Sequence, residues 1–355
     1  MMRSPLLLAS LVALAPAAAS ADEAPLLFGK PVAQPAPLTE AEAEERQQAF
    51  QAMLDERGWQ GEGDGVGPAE LFADAPIPAQ AAWDYPPHRH TVFLNFFGGP
   101  MSSGTNAAKM QSACLKGPVE YPGFNGSTAK ALAIVQVFQS KMAPYGVRIA
   151  YEDTPPPELP YSMVMMGGYP ADVGMPNGTL GVSCSSDCGD RWWRDTTFAF
   201  TAVAYDTNIL ATTALQEASH AFGLAHIDGS KHIMYPYATA GDKVWANGCT
   251  IYNDATGGIN CKPTHDIFCG GGKQDDHAEL MAYFGADSPD TEPPVVKILS
   301  PVNGVTLPVG SDLTVEADVT DDYDGVGWKA MFYQNDVLVD ERPAKEFRSL
   351  IRRIR

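Results

Sequence analysis

The residue types best suited to chemistry lie in one stretch, from Thr213 to Pro236, which reads TALQEASHAFGLAHIDGSKHIMYP. If this stretch begins as a helix, Gln216 and His220 lie one turn apart on the same face, and their side chains converge on one point. Glu217 lies beside them, where its carboxylate can take a proton from a water molecule. An imidazole and an acid in this arrangement are typical of metal-assisted hydrolysis.

Gly223 and His226 extend the pattern past the predicted end of the helix. Glycine tolerates a positive φ, so the chain can turn back at residue 223 and bring His226 toward the same point. Two imidazoles, one further side chain and one water complete the tetrahedral coordination of a catalytic zinc ion. The spacing therefore predicts a zinc site in which His220 and His226 are ligands and Glu217 is the general base.

The stretch as a whole resembles the HExxHxxGxxH motif and Met-turn of the metzincin metallopeptidases. The matching positions are Glu217, His220, Gly223, His226 and Met234. Met234, Tyr235 and Pro236 are similar to the Met-turn of the matrixin branch, in which a methionine forms an apolar floor under the metal. The resemblance implies a zinc peptidase that hydrolyses polypeptides with a metal-activated water, and it implies structural roles for Gly223 and the three turn residues.

Position 216 departs from the family, because it holds glutamine where the motif has histidine. An amide offers zinc only a neutral oxygen in place of an imidazole nitrogen, so we expect weaker metal binding. Three alternatives remain open. Gln216 ligates zinc weakly, another side chain such as His232 or His265 replaces it, or the site is empty and the protein is a catalytically inactive secreted binding protein on the same scaffold.

The first 21 residues have the composition of a secretory signal. Arg3 precedes an apolar run from Leu6 to Ala15, and small residues lead to a cleavage site near Ala21. We therefore expect a secreted protein, extracellular or periplasmic. The net charge of −19 argues against a nucleic-acid or anionic-membrane partner, since a polyanion is repelled. The sequence leaves the oligomeric state open.

Six cysteines fit the oxidising compartment that this signal implies. They are Cys114, Cys184, Cys188, Cys249, Cys261 and Cys269. An even number permits up to three disulfides, and the sequence does not determine which of the possible pairings forms. A zinc site built from these cysteines is disfavoured, because no CxxC pair is present.

The predicted fold class is α+β, with a metzincin-like catalytic domain at residues 88–287. The expected domain has a twisted mixed sheet, an active-site helix and a C-terminal helix. Strands are predicted at residues 91–97, 147–151, 161–166 and 197–205, and helices from Ser127 to Met142 and at 274–284. Strand, helix, strands and metal helix is the metzincin order.

Two segments flank or interrupt this domain. Residues 22–87 are predicted to be a leader or propeptide-like segment, largely flexible, with one helix near Thr39 to Trp59 that has Thr39 as its N-cap. The loop at 178–194 carries Trp192 and Trp193. These tryptophans either border the substrate beside an edge strand, as the family resemblance implies, or pack on the sheet in a disulfide-pinned loop.

After a linker at residues 288–294, short alternating strands are predicted at 295–341. They resemble the first half of a bacterial immunoglobulin-like module, a sandwich that needs about seven strands. Only about four are predicted, so we expect a partial all-β module. Residues 342–355 are basic and lose the strand pattern, which indicates a frameshifted or truncated reading frame or, alternatively, a tail that binds polyanions.

Overall fold

The computed structural model describes residues 25–60, 67–68, 89–155, 157, 161–184, 195–204, 206–253, 261–288, 291–320, 329–343 and 348–351. The secondary structure is mixed α+β, with several separate sheets. Among the helices in these ranges, none is long and apolar enough to cross a membrane.

Before residue 288, the described helices are α1 (Glu40–Arg57), α2 (Thr128–Met142), α3 (Thr207–Ala221), α4 (Lys262–Cys269) and α5 (Asp276–Phe284). The strands are β1 (Leu26–Leu27), β2 (Lys30–Pro31), β3 (Trp59–Gln60), β4 (Gly67–Pro68), β5 (His90–Asn95), β6 (Gly99–Ser103), β7 (Gln111–Ser112), β8 (Val119–Tyr121), β9 (Val147–Ala150), β10 (Ser162–Gly167), β11 (Gly181–Val182), β12 (Thr196–Phe200), β13 (Thr250–Ile251) and β14 (Lys273–Gln274). Two short 3-10 helices lie at Ala107–Lys109 and Pro170–Val173.

A five-stranded sheet in the order β11-β12-β10-β5-β9 forms the centre of this domain. Strands β9, β5, β10 and β12 run parallel, and β11 is antiparallel to β12 at the edge. Both faces of the sheet are covered, so successive side chains enter two different apolar clusters. On β10, Val164 and Met166 belong to one cluster, whereas Met163 and Met165 belong to the other.

Helices α2 and α3 cover the first face of the sheet. The hydroxyl of Ser127 accepts a hydrogen bond from the amide of Lys130 and caps α2, as the sequence predicts. The buried residues of α2 recur at helical spacing and are Ala131, Ile134, Val135, Phe138 and Met142. They share one cluster with the buried face of α3, so the two helices and the sheet form a single core.

The second face of the sheet is covered by α1 and by a small sheet of β6, β7 and β8. A disulfide between Cys114 and Cys184 joins this layer to the segment that follows β11. Its two cysteines are 70 residues apart in the chain. Closing a loop of that length restricts the unfolded chain and stabilises the fold by roughly 4 kcal/mol on the chain-entropy account.

Residues 25–58 are packed onto the domain, although the sequence predicts a largely flexible leader there. Leu27 and Val32 are each 1% exposed and belong to the cluster under α2 and α3. Helix α1 has the predicted N-cap, Thr39, and buries three side chains on the second face: Phe50, Met53 and Leu54. The structure differs from the prediction in this segment because most residues of α1 are charged or polar and its buried apolar stripe is only one turn long.

Helix α4 is not among the helices predicted from the sequence. An eight-residue helix is too short to be stable by propensity alone. Cysteines at the N-cap and at the last helical position, Cys261 and Cys269, are both disulfide-bonded and hold the two ends of α4. A second difference is at β12, which ends at Phe200 and not at residue 205.

The strands after residue 294 are β15 (Val295–Ser300), β16 (Leu313–Thr320), β17 (Lys329–Gln334), β18 (Val337–Pro343) and β19 (Arg348–Ile351). They form a three-stranded sheet in the order β15-β16-β19 and a β17-β18 hairpin. The predicted loss of strand structure after residue 341 is wrong, because β18 continues to Pro343 and β19 pairs with β16. Neighbouring residues on opposite faces of β15 are exposed, with Val295 at 66% and Val296 at 61%.

Candidate metal centre

Helix α3 carries the first part of the motif in its last two turns. Its start is fixed by Asp206, whose carboxylate accepts a 2.9 Å hydrogen bond from the amide of Ile209. The helix ends at Ala221, and Gly223 has a φ of 101°, as the spacing predicts. A residue with a side chain is strained at that φ, so glycine lets the chain reverse directly after His220.

The reversal brings His220 and His226 together. Both rings are buried, and their Nε2 atoms are 3.2 Å apart. Two nitrogens on one tetrahedral zinc ion, each about 2.0–2.1 Å from it, lie about 3.3 Å apart, so the separation fits a shared metal. The same distance suits an N–H···N hydrogen bond when no metal is bound.

The second nitrogen of His220 fixes the orientation of its ring. Its Nδ1 atom is 2.7 Å from the carbonyl oxygen of Leu224. A carbonyl oxygen only accepts, so Nδ1 carries the proton and the Nε2 lone pair of His220 faces His226. A backbone carbonyl behind a histidine ring is a common way to orient a metal ligand.

The loop that carries His226 is held from two sides. The amide of Ile227 donates to the carbonyl of Met234 over 3.0 Å. The fully buried side chain of Gln274 accepts from the amide of Ala225 at 2.8 Å and donates to its carbonyl at 3.0 Å. Gln274 is therefore a positioning residue for the site. Nothing in the local sequence pattern indicates this role, because it depends on a contact between residues 49 positions apart.

Glu217 is completely buried, and its carboxylate lies against edge strand β11. A methyl group at position 181 would be 2.5 Å from both Cγ and Oε1 of Glu217. Gly181 is thus the residue that lets the acid approach the strand backbone. In the sequence, the only indication of this role is a glycine at the start of a short apolar strand.

Gln216 is 7% exposed and borders the same cavity as Glu217 and His226. Its Nε2 atom donates a 3.2 Å hydrogen bond to the carbonyl oxygen of Tyr235. Since that carbonyl can only accept, the amide orientation is fixed, and Oε1 is the atom left for a metal. The donor set therefore fits zinc at the two imidazoles and is weaker at the third position, where it offers a neutral oxygen.

The segment that resembles a Met-turn is a tight turn in the structure. The amide of Tyr235 donates to the carbonyl of His232 at 3.3 Å, and the side chain of Met234 is fully buried in the core under α3. Tyr235 and Pro236 both line the cavity. The turn thus joins the core below α3 to the wall of the cavity.

The two histidines considered as replacement ligands do not complete the site. His265 and Glu279 are both fully buried, with Nδ1 and Oε2 2.5 Å apart. His232 borders the cavity, but no three His, Cys, Asp or Glu side chains within the described ranges form a group suited to a metal ion. Within those ranges, the imidazoles of His220 and His226 therefore face each other, and Gln216 borders the cavity that His226 also lines.

A cavity of about 650 Å³ opens beside these residues. One wall is residues 177–180, which lead into β11, a second is the exposed side of α3, and a third is residues 235–239 after the turn. In the described sheet, β11 has a strand neighbour on one side only. Trp192 and Trp193, which were predicted either to border substrate or to pack on the sheet, lie outside the described residues.

Two of the disulfides that the six cysteines permit are described. Cys114 pairs with Cys184, and Cys249 pairs with Cys269. Cys261 is buried and disulfide-bonded as well. The remaining candidate, Cys188, lies outside the described residues. The prediction of disulfides is confirmed for the two pairs, and their connectivity is a result of the structure alone.

Comparison with known families concerns the strands after residue 294. Residues 294–348 match the bacterial Ig domain family. This bacterial Ig domain agrees with the predicted immunoglobulin-like module, and it extends seven residues beyond the predicted boundary at 341. The match does not reach the domain that carries the cavity. No curated protein matches the chain.

Proposed function

We propose that this protein is an exported zinc-dependent peptidase of metzincin type that hydrolyses polypeptides. The observation that carries the proposal is the pair of buried Nε2 atoms of His220 and His226, 3.2 Å apart, with the His220 ring oriented by Leu224. The spacing of the motif supports it, because Glu217 follows Gln216 on the helix that carries His220. Two described disulfides favour an oxidising, extracytoplasmic compartment.

Each residue has a separate part in the proposed reaction. Zinc, when bound, polarises the scissile carbonyl and acidifies the attacking water. His220 and His226 would hold the ion, and Gln216 would be a weaker third ligand through its amide oxygen. Glu217 accepts the proton of the attacking water and then passes it to the leaving amine. Because its carboxylate is completely buried, its electrostatic interactions are screened less than they would be in water.

The shape of the cavity supports a polypeptide substrate. It is an open groove bordered by the segment that leads into β11, and β11 is an edge strand among those described. An extended peptide can add to such an edge through main-chain hydrogen bonds. Peptide binding of this kind places a scissile bond between the strand and the motif residues of α3.

The test is the Glu217→Gln variant. Glutamine has the same shape, so the contact with Gly181 is retained while the base is lost. We expect zinc content to be unchanged and the rate of casein or gelatin hydrolysis to fall by about 10²- to 10⁴-fold. The control is Glu120→Gln, an exposed glutamate on β8, which should keep full activity. Undiminished hydrolysis by the Glu217→Gln protein would refute the proposal.

A second candidate function is that of a secreted binding protein with no catalytic activity. It is favoured by the lack of a three-residue His, Cys, Asp or Glu cluster within the described ranges. Metal analysis of the purified protein, combined with the hydrolysis assay with and without chelator, separates the two functions. Protein without zinc, and with no hydrolysis after zinc addition, would support the binding protein.

A further inference from the structure

Lys243 is a buried cation in the wall of the cavity. Its side chain is 5% exposed and lines the same cavity as Glu217 and His226. Its ammonium group donates hydrogen bonds to the carbonyl oxygen of Ser230 and to the hydroxyl of Thr239. Burial lowers the pKa of this ammonium group.

No carboxylate of the described residues pairs with Lys243. Its neighbour Asp242 instead forms an ion pair with Lys141, with the charged atoms 2.7 Å apart. An ammonium group has three N–H donors, and Lys243 directs two of them to neutral oxygens. One donor therefore remains for a group that enters the cavity.

Electrostatics favours a negative group at that position. An ammonium group that has lost most of its water and has only neutral acceptors is incompletely stabilised. A carboxylate stabilises it more than a neutral amide does, because charge-assisted hydrogen bonds are about twice as strong as neutral ones. Among the described residues that line the cavity, Lys243 is the only lysine or arginine.

The acidic surface of the protein does not cancel this local preference. A net charge of −19 repels acidic peptides at long range. Salt screens that repulsion beyond about 8 Å at physiological ionic strength, whereas a contact inside a partly enclosed cavity is screened much less. The preference is therefore measured as the ratio of the binding affinities of two matched peptides, one acidic and one neutral. The long-range repulsion acts almost equally on both.

We infer that Lys243 is a specificity-determining residue that binds a carboxylate of the polypeptide substrate. An aspartate or glutamate side chain near the scissile bond supplies this carboxylate, or the carboxyl terminus of the substrate does, since the chemistry is the same. The inference rests on the proposed function in one respect, because it takes the cavity as the substrate groove.

The experiment measures peptide binding to the full chain that carries Glu217→Gln, so that peptides stay intact. A single glutamate is moved along a labelled ten-residue neutral peptide, and each peptide has a glutamine twin. Each pair is also made with a free and with an amidated carboxyl terminus. We expect the best glutamate or free-acid peptide to bind about tenfold or more tightly than its neutral twin, as measured by fluorescence anisotropy.

In the Glu217→Gln protein, the further change Lys243→Met should reduce the ratio of acidic-peptide affinity to neutral-peptide affinity to near one. Adding Lys231→Met instead removes an exposed lysine of the same region that does not line the cavity, and it should leave the ratio unchanged. If the methionine variant does not fold, Lys243→Gln replaces it, since glutamine retains an N–H donor for the Ser230 carbonyl. The amidated peptides show whether the side chain or the terminus supplies the carboxylate.

Two results would overturn the inference: equal binding of every charged and neutral pair, or a preference that persists without the lysine. Hydrolysis of the same peptides by the wild-type protein tests the proposed peptidase function separately from the role of Lys243. Cleavage without a preference for acidic peptides refutes the role of Lys243 alone. Failure to cleave any peptide contradicts the peptidase function, while the binding ratios still decide the role of Lys243.

Discussion

Hydrogen bonds behind the site decide which atoms of the motif residues face it. The carbonyl of Leu224 holds Nδ1 of His220, so Nε2 is directed at His226. The carbonyl of Tyr235 holds Nε2 of Gln216, so Oε1 is the remaining donor. In both residues a backbone carbonyl selects the atom, and in general an imidazole nitrogen is a better zinc donor than a neutral amide oxygen.

The first prediction at this scale concerns Gln216→His. An imidazole at this position would give zinc a third nitrogen, so we expect zinc affinity to rise by about tenfold or more. The measurement is competition with a fluorescent zinc chelator. The control is Gln216→Ala, which also loses the hydrogen bond to Tyr235 but supplies no ligand. Equal affinity in the histidine and alanine variants would show that residue 216 does not face the metal.

A second residue-scale prediction concerns Gly181→Ala. The added methyl group would meet Cγ and Oε1 of Glu217 at 2.5 Å, so the carboxylate or the strand must shift. We expect peptide hydrolysis to fall by about tenfold or more, because small displacements of a catalytic base have large effects on rate. Gly117→Ala is the matched control, since a methyl group there meets nothing within 4 Å. The same activity in both variants would contradict the contact between Glu217 and β11.

At the scale of elements, β14 and α5 hold the loop of His226 through a buried polar network. Gln274 binds both backbone groups of Ala225 and donates to Oδ1 of Asp276 at 2.7 Å. Oδ2 of Asp276 accepts from the amide of Ala246 at 3.0 Å. Burial raises the pKa of Asp276 to about 7, and the nearby carboxylates of Glu279 and Asp275 add to the rise.

This network makes the stability of the domain depend on pH. A carboxyl group whose pKa is raised by folding contributes most below its unfolded pKa, about 3.9, and its contribution is lost as pH rises through about 7. We expect the free energy of unfolding to fall by up to roughly 4 kcal/mol from this group between pH 4 and pH 8. Urea unfolding across this range measures the slope.

Asp276→Asn should flatten this slope, because asparagine does not titrate. The hydrogen bond to Gln274 or to Ala246 is weakened in this variant, so the absolute stability also changes, and only the slope is diagnostic. Asp266→Asn removes an exposed carboxylate on α4 and should leave the slope as it is. Equal slopes in the wild type and the Asp276→Asn variant would contradict the raised pKa.

At the scale of the whole molecule, the two parts of the chain differ in how well their strands are covered. Every residue of β5 and β10 is buried, because helices and a second layer cover the two faces of that sheet. In the bacterial Ig domain, five of the six residues of β15 are exposed. Apolar side chains that remain in water contribute little to stability, so this part of the chain should open at lower free energy.

Amide hydrogen exchange tests this difference within one sample. We expect amides of β5 and β10 to exchange only on global unfolding, and those of β15, β17 and β18 to exchange about 10²-fold faster or more. The comparison needs no variant, since the two parts serve as references for each other. Equal protection in the monomeric protein would mean that the exposed strands are stable without a covering layer.

Most helices and strands before residue 288 could be predicted because local sequence patterns specify them. Ser127 and Thr39 are helix caps in the sequence and in the structure, and the buried residues of α2 recur with helical spacing. The strands β5 and β10 contain the apolar runs Val92 to Leu94 and Met163 to Met166, as expected for strands buried on both faces. Helix α4 could not be predicted, because disulfides hold it and not its own propensity.

For the site, the sequence by itself determined that His220 and His226 come together, since helix geometry and one positive φ at Gly223 act over a few residues. Only the tertiary structure decided what surrounds them. The approach of Gly181 to Glu217, the bonds of Gln274 to Ala225 and the burial of Lys243 without a carboxylate partner among the described residues are such cases. These contacts depend on how layers and loops pack against each other, and no local periodicity encodes them.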